Sequence, residues 1–77
     1  MARTWKDPRD GRPWLVEATP FEVPPDPGET TIPMGWQLLF ESGASHCTIL
    51  VGYEVGSRLD GMSDRELIAL LDASRAG

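Results

Sequence analysis

Apolar and polar side chains alternate along three stretches of the chain with the two-residue period that is typical of β-strands. These stretches are residues 14–18, 35–41 and 46–51. Successive side chains of a strand point to opposite faces of the sheet, so each stretch has one apolar face. The apolar faces carry Trp14, Val16 and Ala18; Trp36, Leu38 and Phe40; and Cys47, Ile49 and Val51, with His46, Thr48 and Leu50 opposite the last set.

Two turn-forming segments connect these strands into hairpins. Residues 7–11 read Asp-Pro-Arg-Asp-Gly, in which Pro8 presets φ and Gly11 can take a positive φ without a clash. This turn adds a fourth strand, residues 3–6, opposite the first stretch. Residues 42–45 read Ser-Gly-Ala-Ser and predict the turn of a second hairpin, which joins the other two stretches.

Two further connections are predicted. Residues 19–34 contain Pro20, Pro24, Pro25, Pro27 and Pro33, together with three acidic residues. Proline cannot donate to a β-ladder, so this segment predicts a long acidic loop with an extended backbone. Residues 24–27 have the P-x-x-P spacing of docking peptides, a pattern of low specificity. Residues 52–61 predict a turn-rich connection whose anchors are Tyr53, Val55 and Leu59.

The C-terminal part of the chain predicts one helix. Ser63 and Glu66 have the spacing of a capping box, which marks a helix N-terminus. Met62 and Leu67 stand at the positions of a hydrophobic staple around the same cap. An apolar stripe follows, consisting of Leu67, Leu70 and Leu71 with Ile68 at its margin. We expect this stripe to dock on the apolar face of residues 35–41.

The element order is therefore β-β-loop-β-β-α. It predicts an α+β fold, in which a small antiparallel four-stranded sheet, made of two hairpins, is covered by one C-terminal helix. Residues 1–77 are expected to form a single domain that includes the proline-rich loop at 19–34. A core of this size barely offsets the entropy cost of folding, so association with a partner or a second copy would add stability.

The charge of the chain is unevenly distributed. The formal net charge is −5, yet residues 1–12 carry four basic and two acidic side chains. The remaining residues carry three basic and ten acidic side chains. An acidic surface repels a phosphate backbone, so general nucleic-acid binding is disfavoured outside the N-terminal hairpin.

The cysteine content and the lack of long apolar runs also indicate the cellular compartment. Cys47 is the sole cysteine, so an intrachain disulfide is impossible and a reducing compartment fits best. The first residues show no apolar signal-peptide core, and no apolar run is long enough to cross a bilayer. We therefore expect a soluble, cytoplasmic protein without a membrane partner.

Catalytic and metal-binding motifs are not recognisable in the sequence. His46 and Cys47 are adjacent on a predicted strand, so their side chains point to opposite faces and cannot form a nucleophile and base pair. One histidine and one cysteine also fall short of the four ligands of a structural zinc site. The glycines lack the spacing of phosphate-binding loops. The sequence thus predicts a protein that is not an enzyme and uses no cofactor or metal.

The N-terminal hairpin offers the best candidate for a recognition surface. Two tryptophans flank its charged turn, where basic side chains recur every third residue. The candidate partner-binding residues are Trp5, Lys6, Arg9, Asp10, Arg12 and Trp14. Aromatic and guanidinium groups are common in protein interfaces, which favours a protein-interaction module that binds a protein partner, or a second copy, through this hairpin and the proline-rich loop.

Two alternatives remain open for the hairpin. The first is a purely structural role. Its tryptophans would stack across the strands and fix the register, while its basic residues would pair with Asp7, Asp10 and the acidic loop. The second functional alternative is a nucleic-acid-associated regulator, in which Arg3, Lys6, Arg9 and Arg12 contact phosphates.

Overall fold

Four antiparallel strands form one sheet in the computed structural model, and the helices follow them. The structure describes residues 1–23, 28 and 32–76. Its elements are β1 (Ala2–Lys6), β2 (Pro13–Val23), β3 (Ile32–Ser42), β4 (Ser45–Gly52), α1 (Tyr53–Gly56), a short 3-10 turn (Leu59–Gly61) and α2 (Asp64–Ala76). The strands lie side by side in the order of the chain. The predicted fold class, an α+β fold with a four-stranded antiparallel sheet and a C-terminal helix, is confirmed.

The first hairpin has the predicted turn and strand faces. Gly11 has a φ of 73°, a conformation that glycine adopts without steric cost. The N–H of Gly11 donates to the carbonyl of Asp7 over 2.8 Å, and Trp5 pairs directly with Trp14 across the strands. Val16 and Ala18 share the buried face with these tryptophans.

β2 and β3 extend into the segment predicted as a loop. Residues 19–23 of β2 pair with residues 32–37 of β3. The prediction of a loop over 19–34 is therefore wrong at both ends. Residues 24–27, which carry the P-x-x-P spacing, and residues 29–31 lie outside the described residues.

Pro20 is tolerated in β2 because its position costs the sheet no hydrogen bond. The N–H of Ala18 donates over 2.7 Å to the carbonyl of Met1, immediately before β1. Backbone groups two residues apart point to the same side of a strand, so the nitrogen of Pro20 lies on the β1 side of β2, beyond the end of β1. Proline is found at such unpaired strand positions.

The core lies between the sheet and the helical elements. Its buried apolar side chains are Trp5, Trp14, Val16, Ala18, Leu38, Phe40, Leu59, Met62, Leu67 and Leu71. Leu67 and Leu71 of α2 belong to the same cluster as Leu38 and Phe40, which confirms the docking of the helix on this face. Trp36 is only half-buried and packs against the edge of the core.

The N-terminus of α2 has the predicted cap. The N–H of Glu66 donates to the Ser63 Oγ over 3.3 Å. Met62 and Leu67, the two staple positions, are both buried. The Glu66 carboxylate lies 3.4 Å from the guanidinium of Arg58. The local signal in the sequence therefore located the start of this helix correctly.

The connection between β4 and α2 is more ordered than a run of turns. It contains α1, which packs against β3, and the 3-10 turn, which packs against β1. Leu59 is fully buried and Val55 is half-buried, as expected of anchors. Tyr53, the third predicted anchor, is 50% exposed, because its ring rests on the outer side of Trp36 with the centroids 5.9 Å apart.

Candidate functional site

The two tryptophans of the N-terminal hairpin are core residues. Trp5 is 5% exposed and Trp14 is 4% exposed. The indole N–H of Trp5 donates to Asp64 over 3.0 Å, and Trp14 packs edge-to-face on Phe40 with the centroids 6.4 Å apart. Both tryptophans are therefore buried in the core cluster beneath α2, and their rings are not exposed in the way that a recognition surface at this hairpin requires.

Arg9 and Asp7 form a closed ion pair within the turn of the hairpin. The Arg9 guanidinium donates to both carboxylate oxygens of Asp7, over 2.9 to 3.2 Å, and also reaches Asp72 of α2 at 2.9 Å. These donors hold the pKa of the Asp7 carboxyl below its ordinary value of 3.8 against the opposing effect of burial. The same contacts raise the pKa of Arg9. This arginine therefore fastens the hairpin to the helix.

Two further arginines of the basic N-terminal region donate to the protein's own backbone and side chains. Arg3 donates to the carbonyls of Leu59 and Met62 over 3.0 and 3.2 Å. Arg12 donates to the Ser42 Oγ over 2.9 Å, with its guanidinium 5.0 Å from the ring centroid of Trp14. These donors are occupied within the fold.

Lys6 and Asp10 are the candidate residues of the hairpin that remain exposed without a role in the core. Asp10 accepts the backbone N–H of Arg12 over 3.0 Å, which is a local turn contact. The structure thus brings Arg9 and Asp7 together. Three of the four basic side chains of this hairpin donate to other residues of the same chain. Both the protein-binding and the nucleic-acid hypotheses for the hairpin depended on these side chains.

The Asp7 pair makes stability depend on pH. Because the pKa of Asp7 is lower in the folded than in the unfolded chain, its ionised form stabilises the fold above about pH 4, and this contribution disappears as the pH falls below 3.8. We expect Asp7→Asn to lower the free energy of unfolding by about 1.5–3 kcal/mol at pH 7, the range for hydrogen bonds to charged groups. Urea denaturation of both proteins from pH 7 to pH 2.5 measures this loss of stability and its dependence on pH.

The control is a double-mutant cycle with Arg9→Gln. The double variant should lose less stability than the sum of the two single variants, since both changes remove the Asp7–Arg9 ion pair, while Arg9→Gln alone also removes the contact with Asp72. A difference between wild type and Asp7→Asn that stayed constant down to pH 2.5 would contradict the role of this ion pair.

His46 and Cys47 lie on opposite faces of β4, as predicted. His46 is exposed and stands opposite Glu41 of β3 on the open face of the sheet. Cys47 is half-buried on the helix side, where the hydroxyl of Ser74 donates to its sulfur over 3.1 Å. Both His46 and Glu41 are exposed to solvent on that face.

One edge of β4 faces no other strand in the described part of the chain. The two-residue turn before it has a φ of 61° at Gly43 and a negative φ at Ala44, the pattern of a type II′ hairpin. Such a turn is closed by a hydrogen-bonded pair, which here is Ser42 with Ser45. Alternation then directs the N–H and C=O groups of His46, Thr48, Leu50 and Gly52 away from β3.

The hydrogen bonds between β1 and β2 lead to the same assignment of outward-pointing residues in β4. Met1 and Ala18 exchange backbone hydrogen bonds, which directs the even-numbered residues of β2 toward β1. Counted across the registers of β2 with β3 and of β3 with β4, this places the even-numbered residues of β4 on the free edge. These outward groups form a ready template for an added strand.

Within the described residues, the free edge of β4 has no formal charge, proline or bulge, three common protections against strand pairing. Ser45–Gly52 contains no Asp, Glu, Lys, Arg or Pro, and β4 pairs with β3 in continuous register. Natural proteins shield outer strands with charges, prolines or bulges. β1, the other outer strand, is shorter and holds Arg3 and Lys6. Leu50, in the middle of the unprotected edge, is 60% exposed.

A cleft of about 780 Å³ lies along this edge, on the side of the sheet that α2 covers. Its lining consists of His46, Cys47, Thr48, Ile49, Ala73, Ser74 and Arg75. It is therefore bounded by the outer strand on one side and by the C-terminal turn of α2 on the other. A strand added beside β4 would direct alternate side chains into this cleft.

Comparison with known proteins found no family model, no curated protein and no solved structure that matches the chain. Among the described residues, no helix has the length and apolar character needed to span a membrane. No group of three or more His, Cys, Asp or Glu side chains in that part of the chain is placed to hold a metal ion. The candidate functional site is the free edge of β4 with the cleft beside it, because this outer strand has unpaired backbone groups next to an open space.

Sequence reasoning assigned β4 correctly as a strand but overlooked its edge. The sequence does contain a signal of an unprotected strand. Ser45–Gly52 has eight residues, and none of them carries a formal charge when His46 is neutral. What the sequence does not contain is the strand order, and only that order shows that β4 is an outer strand.

Proposed function

We propose that this protein is a non-enzymatic interaction module that binds another polypeptide by strand addition at β4. The observation that carries this proposal is the unprotected edge, whose N–H and C=O groups at residues 46, 48, 50 and 52 point outward. An extended segment can pair with such groups and gain main-chain hydrogen bonds, as in known cases of β-strand addition.

The cleft beside the edge supplies specificity. Half-buried Cys47 and Ile49 form its apolar floor, and Arg75 of α2 stands at its rim. An apolar side chain of the added strand would occupy this space. The binding surface is thus moved from the N-terminal hairpin, where Trp5 and Trp14 are buried, to the far side of the sheet.

The test compares two variants that each add one positive charge on the open face. Leu50→Lys places the charge on the free edge, whereas Thr19→Lys places it in the same row, two strands away on β2. Both side chains are exposed, so folding should be preserved in both. Circular dichroism and urea denaturation check that it is.

Affinity capture from the source cell, quantified by mass spectrometry, then compares the three proteins. We expect the polypeptides held by the wild type to be retained by Thr19→Lys and lost from Leu50→Lys, because lysine on a sheet edge opposes strand pairing. If Leu50→Lys retains the same polypeptides as the wild type, binding at the β4 edge is refuted.

A further inference from the structure

We infer that the strand which pairs with β4 is β4 of a second copy of this chain, related by a two-fold axis through Ile49. This inference rests on the proposed function, since both use the same edge, and it names the occupant of that edge. Two copies joined in this way form a continuous eight-stranded antiparallel sheet with both α2 helices on one side.

The hydrogen-bonding pattern of β4 is self-complementary about Ile49. Antiparallel pairing about this residue places His46 opposite Gly52 of the other copy and Thr48 opposite Leu50. These are the residues whose backbone groups point outward, so Thr48 and Leu50 exchange both backbone hydrogen bonds with the other copy and the N–H of Gly52 gains the carbonyl of His46 as its acceptor. A shift by one residue would set outward groups against inward ones and forfeit the ladder.

The side chains match in the same register. On the helix side, Ile49 meets Ile49 and Cys47 meets Val51, so half-buried apolar groups face one another. Cys47 and Ile49 line the cleft, and the second copy would bring its own Ile49 and Val51 to the same side of the sheet. Cross-strand apolar pairs of this kind stabilise antiparallel sheets.

Charge favours contact between copies at this edge over contact elsewhere. Each copy has a formal net charge of −5, so two copies repel one another in general. β4 contains no acidic residue, and its pairing in this register sets no like formal charges directly opposite one another. The fold also has a small core, and a shared sheet enlarges the apolar surface that is buried.

Sedimentation velocity tests for this dimer by measuring the mass of the purified protein from low micromolar to submillimolar concentration. We expect a reversible dimer, with Thr19→Lys indistinguishable from the wild type. Leu50→Lys places two lysines beside the two-fold axis at the centre of the shared ladder, where each lies opposite Thr48 of the other copy and diagonally across from the second lysine. It should raise the dimer dissociation constant at least about tenfold.

A second measurement tests the register. Ile49→Cys in a Cys47→Ser background should form a covalent dimer under mild oxidation, because the two cysteines would face one another in a non-hydrogen-bonded pair with close Cα atoms. Thr19→Cys in the same background should remain monomeric on a non-reducing gel.

Two outcomes would overturn the inference. The first is a wild type that stays monomeric throughout, and the second is a dimer that Leu50→Lys leaves intact. The proposed function is judged separately, since foreign polypeptides captured by the wild type and lost from Leu50→Lys would support it even if the purified chain were a monomer. Failure of both experiments would remove the β4 edge as a binding site.

Discussion

Leu71→Ala is expected to lower the free energy of unfolding by about 2–5 kcal/mol, the range for truncating a fully buried leucine. Leu71 has no exposed surface and packs in the cluster that joins α2 to Leu38 and Phe40 of β3. Leu67, one turn earlier, is equally buried, and its truncation should have a similar effect. Urea denaturation at neutral pH is the measurement.

Two matched changes show whether this loss reflects the core. Leu50→Ala removes the same atoms from a side chain that is 60% exposed and should change stability by no more than about 0.5 kcal/mol. Ser63→Ala removes the cap of α2 and should cost about 1 kcal/mol. If Leu71→Ala were as stable as Leu50→Ala, α2 would not be the element that covers the sheet.

Trp14→Ala is expected to cost about 3–5 kcal/mol, as for other large buried aromatic side chains. The indole is 4% exposed and lies between Phe40 and the guanidinium of Arg12. A domain of this length holds only about 4–12 kcal/mol in total, so a substantial fraction of the variant should be unfolded at room temperature. Tryptophan fluorescence during urea titration, checked by circular dichroism, measures the loss.

The control for this prediction is Tyr53→Ala. Tyr53 is aromatic but 50% exposed, so its truncation should cost about 1 kcal/mol or less. A Trp14→Ala variant with wild-type stability and reduced binding would contradict the burial of Trp14 and return it to the set of recognition residues.

The sequence predicted those parts of the fold that depend on local patterns. Alternation located the buried faces of β2, β3 and β4, and the cap at Ser63 located α2. The extension of β2 through Pro20 was missed, because a missing N–H matters only if a neighbouring strand needs it. That condition depends on where β1 ends, which no local pattern reveals.

The candidate site was harder to predict for the same reason. Trp5 and Arg9 are residue types that dominate interfaces, and the fold uses them to hold α2 through Asp64 and Asp72. The edge of β4, by contrast, is built from backbone groups and has no distinctive side chain. Composition can identify residue types that are common in interfaces or active sites. Whether such a residue, or a strand edge, is exposed for binding is decided by tertiary structure.

The contacts of Trp5 and Arg9 also have a consequence for how the chain folds during synthesis. Trp5 reaches a partner 59 residues later and Arg9 a partner 63 residues later, so these two side-chain contacts form only once α2 is in place. Contacts of such separation slow folding, because a long segment must be ordered before they form. A nascent chain would therefore present Trp5 and the other apolar side chains of this sheet face to solvent until α2 is available to pack on them, which is the interval in which a chaperone would be of most use.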